Sequence, residues 1–119
     1  MAINVQSLFD SMKARFGAEH ASDKFQEIYF DCWRQVKADL EIECGLDFDA
    51  PEGMTPDLSL DAKYYTVIST GIMFHIATHG EWLIEDASKF ETRYNNAKKF
   101  ATMARMKDDS ALTRLGDLS

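Results

Sequence analysis

Two cysteines, two prolines and six glycines are all that this chain of 119 residues holds of the residue types that staple, stop or bend a backbone. The scarcity of cysteine excludes a disulfide scaffold. Cys32 and Cys44 fall on one expected helix, where twelve steps of ~1.5 Å set them ~18 Å apart. A disulfide needs Cα atoms within ~7 Å, so both read as free, buried thiols suited to a reducing compartment. The glycines at 17, 45, 53, 71, 80 and 116 are all isolated, which excludes a glycine-rich phosphate loop. No apolar run reaches the ~20 residues of a membrane span. Residues 1–16 mix apolar positions with Asp10, Lys13 and Arg15, unlike a secretory leader. These absences predict a soluble protein made inside a cell, with no membrane role.

Positive charge is also short. Thirteen Lys and Arg face twenty Asp and Glu, a net charge of −7. The whole deficit lies in residues 1–58, while residues 59–119 balance. Lys89, Arg93, Lys98, Lys99, Arg105 and Lys107 nevertheless cluster late in the chain, with Glu91 alone among them. A general DNA binder neutralises phosphates, so an acidic chain of this kind is a poor one. The basic cluster reads as helix-dipole complementarity, or as a surface that meets an acidic one on an identical neighbour.

What is present is helical periodicity. Val5, Leu8, Phe9, Met12 and Phe16 form one stripe, with Gly17 as its stop. Phe25, Ile28, Tyr29, Cys32, Trp33, Val36 and Leu40 form a second, with Asp23 as cap, Gln26 in the capping-box position and Gly45 at the end. Residues 46–59 contain both prolines and read as a long loop pinned by Phe48, Met54 and Leu58. From Tyr64 to Gly80 the sequence is apolar or small on nearly every side, with Ser59 as the cap. A helix greasy all round is buried all round, so this one is a central post. Gly71 within it implies that a neighbouring backbone approaches closely. A long helix follows from about Leu83 to about Lys107, with Leu83, Ala87, Phe90, Tyr94, Ala97, Ala101 and Ala104 on one face. Residues 108–119 read as an arm carrying Leu112, Leu115 and Leu118, which fold or dock on a partner. The expectation is an all-α, single-domain bundle of about four helices over residues 1–107, with a central buried helix and a C-terminal arm over 108–119.

Catalytic and metal motifs fail on inspection. His75 and His79 share a helix face four residues apart, yet no glutamate follows His75 and no further ligands complete a site. His75 reads as a hydrogen-bonded core residue and His79 as a cation at a helix end. Asp47, Asp49, Glu52 and Asp57 suggest calcium, but Pro51 takes the third ligand position of an EF-hand loop and Leu58 the place of its glutamate. No nucleophile arrangement is evident. The reading is therefore no enzyme, no metal and no cofactor.

The element order, together with Asp61-Ala62-Lys63-Tyr64-Tyr65, Gly71-Ile72, Gly80-Glu81-Trp82 and Phe90-x-x-x-Tyr94-x-x-Ala97, resembles the head–tail connector, or tail adaptor, proteins of tailed bacteriophages over most of residues 22–107. The resemblance implies a structural virion protein, made in the host cytoplasm, that forms a homo-oligomeric ring, typically of twelve copies, beneath the portal protein. DNA only passes through the lumen. By position, the arm with Leu112, Leu115 and Leu118 would dock on the portal. The loop with Asp47, Asp49 and Asp57 would face the downstream tail protein or the lumen, where an acidic surplus lets DNA slide. Arg93, Lys98 and Lys99 would meet Glu27, Asp31 and Asp39 of a neighbour. This arm is shorter than in many relatives. The alternative, from a different class, is a small acidic helical regulator or effector-type module that binds one host protein.

Overall fold

A computed structural model describes residues 3–16, 22–51, 53, 58, 60–78 and 87–117. The protein is all-α. Among the described residues four helices make the body: α1 (Val5–Arg15), α2 (Ser22–Glu43), α3 (Tyr65–Ala77) and α4 (Ala87–Asp117), with a short 3-10 turn at Ala62–Tyr64 leading into α3. One isolated antiparallel bridge joins Ile3 to Leu58.

α1 starts where Asn4 turns its side chain back to accept from the Ser7 N–H at 2.7 Å, a side-chain cap of the kind that stabilises a helix start by ~1 kcal/mol. Its expected stripe is inside: Val5, Leu8, Phe9 and Met12 are buried. The Tyr29 hydroxyl donates to the Val5 carbonyl at 2.8 Å and ties α1 to α2. Burial holds the Tyr29 pKa well above the ordinary tyrosine range, so this donor keeps its proton.

α2 presents Phe25, Ile28, Tyr29, Cys32, Trp33, Val36 and Leu40 to the core, as its spacing predicts. Burying each of the larger apolar side chains contributes ~1.5–3 kcal/mol. Asp23 lies inside the first turn of α2 rather than at its cap, where a carboxylate still complements the helix dipole. At the other end Gly45 takes φ +69°, and the Leu46 N–H folds back to the Leu40 carbonyl at 3.1 Å. The extended residues that follow alternate: Leu46 and Phe48 are buried, Asp47 and Asp49 point out. Met54 and Ser59 lie outside the described residues.

α3 is the post. Every residue from Val67 to Met73 is buried, and so are Ile76 and Ala77. It packs against α4 on one side and α2 on the other. Asp61 caps its entry, accepting from the Lys63 N–H at 2.9 Å. The neighbour at Gly71 is a pair of side chains rather than a backbone. A Cβ there would stand 2.6 Å from Tyr94 Cε1 and 2.9 Å from Val36 Cγ2. α3 ends at Ala77 with Thr78 as its cap; Gly17, His79, Gly80, Trp82 and Leu83 lie outside the described residues.

α4 corrects one expectation. It does not stop near Lys107 but runs on to Asp117, so the backbone of Leu112 and Leu115 is helical. Their side chains, and Leu118 altogether, lie outside the described part. Phe90, Tyr94, Ala97 and Ala101 face the core as expected. No helix among the described residues is long and apolar enough to cross a membrane.

Candidate functional site

The polar centre of the molecule sits where α2, α3 and α4 meet. Asp39, on the flank of α2, receives the Tyr94 hydroxyl of α4 at 3.0 Å and lies 2.7 Å from His75 Nε2 of α3. One carboxylate thus ties three helices together. The Tyr94 pKa is raised, first by burial and then by the Asp39 charge and hydrogen bond, so the phenol remains a donor. Phe74 and His75 stack around the Tyr94 ring at 6.0 Å. His75 is hydrogen-bonded, as its sequence position implies, but it is part-buried at the edge of the core rather than within it. The arrangement is that of a clamp, with one oxygen of Asp39 shared between His75 and Tyr94. Among the described residues, no group of three or more His, Cys, Asp or Glu is placed to hold a metal.

Beside the clamp, Lys98 Nζ reaches Glu43 at 2.9 and 3.0 Å and lies 4.5 Å above the Tyr94 ring. Arg105 Nε donates to the Cys44 carbonyl at 2.6 Å. The end of α2 is therefore fastened to one flank of α4. The Cys44 thiol joins in, donating to the Lys98 carbonyl at 3.4 Å.

These contacts sort the charged residues singled out in the sequence. Asp39 and Lys98 make their bonds inside the chain. Asp31 pairs with Arg34 one turn on, and both are exposed. Glu27, Arg93 and Lys99 are exposed on the surface. Asp47 stands 3.8 Å from Lys37 and is largely in solvent; Asp49 is exposed. Asp57 lies outside the described residues.

The sequence reading missed the apolar residues that stay outside. Phe100 is 72% exposed, Met103 55% and Met106 56%, all on α4, and Ile42 at the end of α2 is 84% exposed. Their spacing of three carried the signal, but they sit off the Phe90–Tyr94–Ala97–Ala101 stripe that explained the helix without them. Phe100 borders a groove between α3 and α4 of about 290 Å³, floored by Val67, Ala97, Ala101 and Ala104. The alanines narrow α4 where no side chain of the chain's own described part fills the space. Phe100, Met103 and Met106 thus put three large apolar side chains of one helix in water, the kind of surface that interaction sites use.

No protein-family model, curated protein or solved structure matches this chain.

Proposed function

We propose that this protein is a structural assembly subunit, a head–tail connector that forms a ring beneath the portal and joins the capsid to the tail, with DNA passing through the lumen. The observation that carries the reading is the exposed apolar face of α4, where Phe100, Met103 and Met106 stand in water beside an alanine-floored groove. A chain whose core is filled by a solid post, and whose polar centre is a clamp, acts through its outside. Interfaces favour aromatic and methionine side chains of this kind. The length of α4, ~46 Å for its 31 residues, supports a subunit that reaches beyond its own core. Leu112 and Leu115 on its last turns, with Leu118 after them, would serve as portal anchors. The outward Asp47 and Asp49, with Asp57, would face the tail or the lumen.

Native mass, with and without added phage portal protein, tests this. The chain alone should be small and should join a ring when portal is added. Removing residues 108–119 should abolish portal binding and leave a helical circular dichroism spectrum. Retained binding would refute the role of that segment. A chain that ignores portal at every concentration would overturn the connector reading in favour of a regulator docking through its acidic surface, Glu27, Glu41, Asp47 and Asp49.

A further inference from the structure

Among the described residues, two exposed apolar features stand in surroundings of opposite net charge. Ile42 projects from the last turn of α2 between Glu41 and Glu43. Lys37 reaches Glu41 at 3.5 Å and Asp47 at 3.8 Å, and Lys98 holds Glu43, so three carboxylates share two cations around an apolar knob and leave a net negative charge. The groove between α3 and α4 is an apolar slot with a basic rim. Lys63 lines its mouth, with its ammonium 5.3 Å from the Tyr64 ring. Arg93 and Lys107, both exposed, continue the groove's stripe one turn before Ala97 and one turn after Ala104.

The two features cannot meet within one copy. At 100° per residue, Lys98 and Arg105 lie to one side of the core-facing Tyr94 and Ala101, and they hold the end of α2 there. Ala97, Phe100 and Ala104 lie to the other side. Knob and slot thus occupy opposite flanks of α4. They also lie at the same height, because the contacts that fix α2 fall at residues 98 and 105 and the groove spans 97–104.

We propose that Ile42 of one copy seats in the α3–α4 groove of the next, with Glu41 and Glu43 turned toward Lys63, Arg93 and Lys107 of that neighbour. The contact is heterologous, a knob against a different surface, so every open assembly keeps one free knob at one end and one free slot at the other, and association continues. Matched heights on opposite flanks move each copy sideways with little rise, which favours closure into a ring over growth of a filament. Glu43 keeps its bond to Lys98 and adds the neighbour's charge. The inference rests on the connector reading for ring closure, and its test separates the two.

Ile42→Cys and Phe100→Cys proteins, mixed at millimolar concentration without portal, should cross-link through a short bismaleimide into a heterodimer. The double variant should give a ladder of multimers. The native thiols are buried, at 1% and 2% exposure, and stay out of the reaction. Product from the mixture should exceed that from either single variant by about tenfold, equal to about 1.4 kcal/mol of pairing preference. No excess over the single variants, or Ile42→Cys dimerising with itself as fast, would overturn the proposal. As a second readout, Ile42→Lys places a cation against the basic rim at a position that contributes little to folding. It should keep its thermal midpoint and lose concentration-dependent growth in sedimentation mass. A ladder from a chain that ignores portal would uphold this contact and sink the connector reading. Full rings of Ile42→Lys on portal would do the reverse.

Discussion

A methyl group added at residue 71 would land 2.6 Å from Tyr94 Cε1 and 2.8 Å from its Cζ. The ring cannot swing clear, because its hydroxyl is bonded to Asp39 at 3.0 Å. Gly71→Ala gains ~1 kcal/mol of helix propensity but meets an overpacking cost of ~1–3 kcal/mol. The second term should win, and urea denaturation should show a loss of ~1–2 kcal/mol. Tyr94→Phe releases the anchor, so the same Gly71→Ala change should cost less in that background. Additive losses in the double-mutant cycle would show that the clamp does not hold the ring. Cys32 gives a second prediction at this scale. Burial pushes its thiol from 9.0 up to about 12, with Asp31 adding to the shift. The folded protein holds the thiol neutral while the unfolded chain ionises it. Stability is therefore complete below pH 9 and falls as pH rises from there toward about 12. Each such group contributes a slope of up to ~1.4 kcal/mol per pH unit, and the buried tyrosines join above their ordinary range. Denaturation midpoints measured from neutrality to pH ~10 should decline, and Cys32→Ala should flatten the first part of that decline.

At the scale of elements, the junction of α2 and α4 is held from outside α2. Its final turn has no basic residue of its own, and Arg105 of α4 supplies the missing cation to the Cys44 carbonyl. Arg105→Met should keep the packing of the side-chain stem and lose the bond. A cost of ~1.5–3 kcal/mol follows for a charged hydrogen bond to a helix end, read as a shift in thermal midpoint. Gly45→Ala should add strain at the same corner, since its φ is +69° and a Cβ would stand 2.9 Å from Arg105 Nε. None of this was legible in the sequence. Arg105 is 61 residues from Cys44, and nothing local marks it as a cap rather than one more cation of a basic helix. The cores of α1 and α2 were legible, because a repeat of three and four leaves one inward face. The end of α4 was misread at Lys107, since the apolar stripe fades there while the polar residues beyond remain able to form helix.

For the whole molecule, the measurable consequences are shape and association. The body measures 57 × 30 × 19 Å with a radius of gyration of 15.5 Å, above the ~13–14 Å expected of a compact domain of this length. Dilute scattering should return the elongated monomer, and concentrated solutions should grow in mass unless Ile42 is made Lys. The sequence by itself determined the all-α class, the inward faces of α1, α2 and α4 and the burial of the segment around Gly71. Periodicity is a local property, and a helix apolar on every side has only one stable place. The tertiary structure decided what surrounds that post. It turned Asp39 and Lys98 from candidate contacts between copies into bonds within one copy, because three helices bring Asp39, His75 and Tyr94 within reach across gaps of 36 and 55 residues. It also left Ile42 and Phe100 outside, which their hydrophobicity alone argued against. Exposure depends on where neighbouring elements stop, and that is fixed by packing in three dimensions rather than by spacing along the chain.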